Sequence, residues 1–343
     1  MNAALPELTH HCRQGGTLGP PEAAAALEAL LEPDGPEDAK LDFLRALTEK
    51  GETASELAAF VQALLPRSVD PGLQGSWNGV RLFDCCGTGG GGFNLFNVST
   101  GIMFILAACG VPVAKHGNRG VTKASGSADV LGALGLPIAS GPDELRRQLE
   151  ANGLAFIAAP HFHPVFKHLA PLRQKLAGEG RRTVFNLLGP LLNPCRPAAQ
   201  MIGVFRTEHL GLFSEALESL GRERHGVVYG ESPEGRAIGE AGIFKLNRMR
   251  WRLNGPPEDF EETFRGAVPG LEGLMVDSPA ASADILERLL QGEEIGCGQA
   301  LLVHNAALAL HIHSRPDFRA AEQEAQEALA SGRAYAKLKA WRS

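Results

Sequence analysis

Gly87-Thr88-Gly89-Gly90-Gly91-Gly92 lies between the apolar run VRLFD (residues 80–84) and the helix-like stretch STGIMFILAACG (99–110). Because glycine has no Cβ, main-chain N–H groups in such a loop can approach an anion closely, and positive φ angles cost little. Asn97-Val98-Ser99-Thr100, at the start of the following helix, offers free N–H groups and hydroxyls that suit a phosphate or the water shell of a bound metal. Together the two segments have the parts of a pyrophosphate cradle, whereas a Gly-rich turn by itself is often only a tight turn. The commonest nucleotide patterns are absent: there is no GxxxxGK[ST], and no acid follows at dinucleotide spacing, which disfavours an ATP or NAD site.

A second segment, Lys115 to Ser127 (KHGNRGVTKASGS), carries the cations Lys115, Arg119 and Lys123, the imidazole of His116, the amide of Asn118 and the hydroxyls of Thr122, Ser125 and Ser127. Cations and hydroxyl donors on a glycine-jointed loop are what a polyphosphate needs, because charge-assisted hydrogen bonds are stronger than neutral ones. Any one of these residues alone would read as a solvated loop position.

These loops need a scaffold, and the periodicity supplies one. Residues 20–66 are rich in Ala, Leu and Glu with apolar positions at helical spacing, and Thr53 with Glu56 has the spacing of a capping box. From about residue 80 strands alternate with helices: VRLFD, VPVAK, LAFIAAP, QMIGVF and HGVVYG read as strands, and ADVLGALG and HLGLFSEALESLG as helices. Residues 276–341 read as two or three helical segments, with RAAEQEAQEALASGRAYAKLKAW taken as one stretch. The fold class expected is therefore α/β, with a small all-α domain (1–75) and a larger α/β domain (76–343).

The 343 residues, 44% hydrophobic and 21% charged, can bury a sizeable core. A formal charge of -6 leaves no global positive field to attract nucleic acid. The N-terminus has neither the basic start nor the apolar run of a signal peptide, and no stretch approaches a membrane span, so a cytoplasmic location is expected. The six cysteines match no zinc or CxxC spacing, and strand alternation should turn the adjacent Cys85 and Cys86 to opposite faces.

The motifs GTGG, NVST, VAKHGNR and GSADVLGALG, in this order and spacing, resemble those of the anthranilate phosphoribosyltransferases. KGETASELAAFVQAL resembles that family's N-terminal helices, FHPVFKHLAPLRQKL its acceptor-site helix, and RTVFNLLGPLLNP its most recognisable later motif. HNAALAL and ASGRAYAKL are similar to its C-terminal helices, so the resemblance covers most of residues 20–340.

It implies the nucleoside phosphorylase/phosphoribosyltransferase-like fold, with helices of about 165–190 returning to the α-domain, a site at the hinge, and a homodimer. It also implies transfer of a 5-phosphoribosyl group from phosphoribosyl pyrophosphate (PRPP) to anthranilate, with Mg²⁺ and no covalent nucleophile. By position the donor would be held by Gly87, Gly90, Gly91, Asn97, Val98, Ser99, Thr100, Lys115, His116, Gly117, Asn118, Arg119, Thr122, Lys123 and Ser127. Gly87, Asn118, His163 and Arg173 would line the acceptor path, and the planar guanidinium of Arg173 suits a carboxylate. In FHPVF, His163 can equally pack and hydrogen-bond at a helix start. Ser99 and Glu234 would hold the metal.

The chain also departs from the family pattern. Gly91 stands where the family has Asp. Glu234-Gly235 aligns best with the family's adjacent Asp and Glu, and Glu231 or Glu240 would substitute if this loop is rearranged. Lys123-Ala124 replaces Ser-Lys. These changes leave open an aromatic acceptor other than anthranilate. A non-catalytic nucleic-acid-binding or regulatory paralogue would need a basic stripe, which the charge disfavours. Pyrimidine-nucleoside phosphorylases share the general fold, but KHGNR and RTVFNLLGPLLNP point away from them.

Overall fold

The structure is a computed structural model and describes residues 5–89, 94–120, 125–264 and 270–343. Its first layer is helical: α1 (Leu5–Arg13), α2 (Pro20–Leu31), α3 (Glu37–Lys50) and α4 (Ala54–Leu64). The capping box at α4 is formed, with Thr53 Oγ1 accepting from Glu56 N at 3.2 Å and Thr53 N donating to Glu56 Oε2 at 2.9 Å. Glu56 is fully buried because it also accepts from Leu18 N and pairs with Lys50, so one carboxylate ties the loop after α1 to α4.

A two-residue hairpin, β1 (Ser76–Trp77) and β2 (Val80–Arg81), leads into the alternating part of the chain. There follow β3 (Phe83–Gly87), α5 (Val98–Ala108), β4 (Val113–Gly117), α6 (Ser127–Ala133), α7 (Pro142–Asn152) and β5 (Leu154–Ala158). Next come α8 (Ala159–Phe162), α9 (Phe166–Gly178), α10 (Val184–Leu188), β6 (Ala199–Gly203), α11 (Glu208–Ser219) and β7 (Arg224–Gly230). A meander, β8 (Leu246–Arg252) and β9 (Glu258–Thr263), extends the edge, and α12 (Pro279–Leu290), α13 (Gly298–His313), α14 (Phe318–Ala330) and α15 (Arg333–Arg342) complete the chain.

The seven strands lie in the order β5-β4-β3-β6-β7-β8-β9, with the first five parallel and β8 and β9 antiparallel. All five strands expected from the sequence are present; the β8–β9 meander was not anticipated, since Arg and Glu on its exposed face mask the apolar alternation. The chain moves outward from β3 to β5 and then returns to place β6 on the other side of β3. That reversal makes the carboxyl ends of β3, β4 and β6 the place where a crevice forms.

One hydrophobic cluster joins β3, β4, α5 and α12–α15; a second joins α1–α4, α9, α10 and α11 and reaches the sheet through Cys86, Ile202 and Val227. Cys85 falls in the first and Cys86 in the second, the opposite faces that alternation requires. All six cysteines are free and buried. The C-terminal region holds four helices, not two or three, because Gly332 at φ 74° divides RAAEQEAQEALASGRAYAKLKAW into α14 and α15. Among the described residues no helix is long and apolar enough to cross a membrane.

Candidate active site

Two cavities of about 290 Å³ each meet at the carboxyl end of the sheet and share His116, Asn118, Arg173, Phe185 and Gly189. The first is polar. The end of β3 gives it Gly87, Thr88 and Gly89; the start of α5 gives Asn97 and Ser99; the end of β4 and its loop give Lys115, Gly117, Arg119 and Ser127. The second is walled by Ala159, Pro160, His163, Phe166, Ala170 and Leu192, with Lys167 at its exposed side.

Hydrogen bonds to one carboxylate and close main-chain packing together shape the polar cavity. Asp129 Oδ2 accepts from Gly120 N at 2.7 Å and Gly126 N at 3.2 Å, pinching the entrance and exit of the second loop onto one carboxylate. A Cβ on Gly126 would lie 2.1 Å from Gly120 N and 2.7 Å from Asn118 O, so only glycine fits there. Asn97 Oδ1 accepts from Ser125 Oγ at 2.8 Å and Ser282 Oγ at 2.9 Å, fastening that loop to α5 and α12.

Beneath both cavities runs a buried polar network centred on Asp84, which is fully buried. Its Oδ1 accepts from His116 N at 3.1 Å and its Oδ2 from Gln200 Nε2 at 3.2 Å. Gln200 Nε2 also donates to Pro190 O at 2.6 Å, and Asn193 Nδ2 to Ala114 O at 2.8 Å. Thus the LLGPLLNP turn is bolted to β3 and β4. Burial raises the Asp84 carboxyl above its ordinary value, and the nearby Lys115 cation opposes this.

His116 Nδ1 lies 3.1 Å from Gly189 O, which can only accept, so Nδ1 carries the proton. Its Nε2 then accepts from His163 Nε2, also at 3.1 Å. Burial pushes His116 down to about 3, with His163 adding to the effect, and His163 down to about 4, so both are neutral near pH 7. Edge-to-face contacts continue from His163 to Phe166 and from Phe166 to Phe185, a wall suited to an aromatic ring.

Arg173 stands where the cavities meet. It is half-buried, its Cζ lies 5.9 Å from the Phe166 ring centroid, and it makes no hydrogen bond or ion pair among the described residues. Burial alone lowers its pKa from the ordinary guanidinium value. A guanidinium taken from water into an aromatic wall without a partner is costly, and an incoming carboxylate would relieve the cost.

Of the residues expected from the sequence, Gly87, Asn97, Ser99, Lys115, His116, Gly117, Asn118, Arg119, Ser127, His163 and Arg173 line one or both cavities. Gly90, Gly91, Thr122 and Lys123 lie outside the described residues. Val98 and Thr100 do not line the cavity: both are fully buried in the first turn of α5, beneath Asn97 and Ser99. Glu234 does not line it either. Residues 231–237 close into a turn through Ser232 N to Arg236 O at 2.8 Å, which leaves Glu234 exposed at the tip, where the Ser232 hydroxyl at 2.8 Å holds its carboxyl below the ordinary value.

The acid on the cavity wall is Glu240. It gets there because a glycine meets a glycine: a Cβ on Gly203, at the end of β6, would lie 1.9 Å from Gly239 O, so the main chain of 239–240 rests directly on the sheet. The sequence offered Glu240 as a substitute on a rearranged loop, and the glycines at 230, 239 and 242 were the local sign of that close approach. We expect Glu240→Gln to raise the Mg²⁺ concentration needed for half-maximal rate by roughly 10–100-fold, and Glu234→Gln to leave it unchanged, in a metal titration of turnover.

The profile described as "Glycosyl transferase family, a/b domain" matches residues 79–335. Anthranilate phosphoribosyltransferase of Syntrophomonas wolfei is 37% identical over 332 residues, 93% of this chain and 92% of that protein. That of Synechococcus elongatus is 40% identical over 330 residues, 94% and 91% of the two chains. The chain belongs to the anthranilate phosphoribosyltransferase family. The crystal structure of the Thermus thermophilus member superposes with a TM-score of 0.85 at 34% identity, covering 98% of both chains. The Saccharomyces cerevisiae member, solved in complex with PRPP and Mg, has the same fold, with a TM-score of 0.76 at 24% identity over 99% of this chain and 94% of its own.

Proposed function

We propose that this protein transfers the 5-phosphoribosyl group of PRPP to anthranilate, giving N-(5-phosphoribosyl)anthranilate and pyrophosphate in tryptophan biosynthesis. The observation that carries the reading is the Arg173 guanidinium, unpaired among the described residues, at the junction of a polar and an aromatic-walled cavity. The donor would lie in the polar cavity against Lys115, Asn118, Arg119 and the main chain of Gly87–Gly89. The acceptor ring would lie against His163 and Phe166 with its carboxylate on Arg173.

In the reaction the bond from ribose C1 to the pyrophosphate oxygen breaks and a bond from C1 to the amine nitrogen forms, with loss of one amine proton. Lys115 and Arg119 stabilise the charge that develops on the leaving pyrophosphate, and Arg173 fixes the amine's approach. An aromatic amine bonded to C1 is a strong acid, so no strong base is required. The neutral His116–His163 pair serves as a rigid wall that holds Gly189 and the acceptor ring in register.

The donor set fits Mg²⁺. Ser99 and Glu240 each offer an oxygen on the cavity wall. That suits an ion held largely by phosphate oxygens. When bound, Mg²⁺ would neutralise charge on the leaving group.

We also place residues 1–75 and the helices of about 165–190 in one α-domain beside an α/β domain of 76–343, supported by the cluster that α1–α4 share with α9 and α10. A cytoplasmic homodimer is our reading by family likeness. Purified protein with PRPP, anthranilate and no other enzyme should lose anthranilate fluorescence only when Mg²⁺ is added. A folded protein that consumes no anthranilate at any Mg²⁺ concentration would overturn the reading.

A further inference from the structure

The polar cavity contains a cation of the protein's own at oxygens that suit a divalent ion. Lys115 is 1% exposed. Its Nζ donates to the Cys85 main-chain carbonyl and, at 3.2 Å, to Ser99 Oγ. A serine hydroxyl and a main-chain carbonyl are hard oxygen donors of the kind Mg²⁺ and Mn²⁺ take. Glu240 faces the same cavity and lies near enough to Cys85 that its charge adds to the raising of that thiol.

We propose that Lys115 occupies the divalent-cation position of the donor-free protein, so that metal enters only together with the donor, whose phosphates draw the ammonium off Ser99. This rests on the phosphoribosyl-transfer reading above. Two effects support it. Ser99 Oγ already accepts from Nζ, so a metal arriving alone competes for the same oxygen. A second cation placed at these oxygens would also meet like-charge repulsion from an ammonium that is itself nearly fully buried, where screening is weaker than at the surface.

The buried Lys115 Nζ is satisfied by the Cys85 carbonyl and the Ser99 hydroxyl, and the Asp84 carboxyl lies within Coulombic range of it. The donor reverses the balance. Its phosphates bring several negative charges into the cavity at once, enough to take the ammonium and leave Ser99 to the metal that accompanies them. An order of binding is thereby built into one side chain.

The test is Mn²⁺ binding without donor, followed by the electron paramagnetic resonance signal of the free ion. Wild-type protein is expected to leave Mn²⁺ largely free. Lys115→Met, which keeps the length of the chain, is expected to bind about one ion per chain on the order of tenfold more tightly. Adding Ser99→Ala to Lys115→Met should abolish that gain. Thermal unfolding checks that each variant is folded, and Lys115→Gln replaces Lys115→Met if the methionine variant is not.

Wild-type protein that binds Mn²⁺ as tightly as the Lys115 variant overturns the proposal, as does a gain that survives the loss of Ser99. Failure of the transfer reading is separable, because wild-type turnover and wild-type calorimetry with Mg²⁺ and PRPP test that alone. An active wild type with no gain in the Lys115 variant removes only the placeholder role. A wild type that neither binds PRPP nor consumes anthranilate removes the reading beneath it.

Discussion

Arg173→Ala is expected to raise the KM for anthranilate about 100-fold while the KM for PRPP stays within about threefold. The guanidinium has no partner among the described residues, sits against the Phe166 ring and is half-buried, so its charge is partly desolvated before any ligand arrives. A carboxylate bound there by two parallel N–H donors exchanges that cost for a charge-assisted pair worth about 3 kcal/mol, and each 1.4 kcal/mol or so is a factor of ten.

Arg173→Lys tests geometry apart from charge. A lysine supplies a point charge but not the planar fork, so its KM for anthranilate should fall between those of the wild type and the alanine variant. Steady-state kinetics with each substrate varied in turn measure both. A rise of equal size in both KM values would mean that Arg173 holds the two cavities together rather than the acceptor's carboxylate.

Gly126→Ala should have the second large effect, a fall of about 100-fold in kcat/KM for PRPP, the size expected when reacting groups are displaced by about 1 Å. The φ of -91° at Gly126 is available to any residue, so backbone strain is not the cause. The cause is space. The added methyl carbon would lie 2.1 Å from Gly120 N and 2.4 Å from Arg119 C, in the pinch that Asp129 holds closed.

Opening the pinch shifts Asn118 and Arg119, which line the polar cavity, while the core beneath α6 keeps its packing. The loss of stability should therefore be small, about 1–3 kcal/mol by thermal unfolding. Donor kinetics unchanged from the wild type would show that this loop does not cradle the phosphates, and would withdraw the roles given to Asn118 and Arg119.

The glycine loop after β3, the NVST start of α5 and the KHGNR loop after β4 were legible because each is contiguous. A strand's end, a glycine turn and a helix start need only neighbours in sequence to define them. The alternation from VRLFD to HGVVYG fixed the parallel strands for the same reason, and Arg173 was found through the motif around it. By contrast, Glu234 had the nearest alignment to an acidic pair, and nothing local to residues 231–240 revealed that the chain closes a turn first and delivers Glu240 to the cavity.

The contrast follows from the range of the forces involved. Hydrophobic periodicity, helix capping and glycine's freedom act within a few residues, so the sequence by itself determined the elements and the places where the two glycine-containing loops leave the sheet. Val98 and Thr100 turned inward because the first turn of α5 faces the buried layer of α12–α15, which begins nearly two hundred residues later in the chain. The His116–His163 bond joins positions 47 residues apart, and the Asp84–Gln200 bond positions 116 apart. Which acid lines the cavity, which imidazole nitrogen holds a proton and which cation meets Ser99 were decided only when distant segments were brought together. Burial then made each unpaired charge or polar atom expensive enough to dictate its partner.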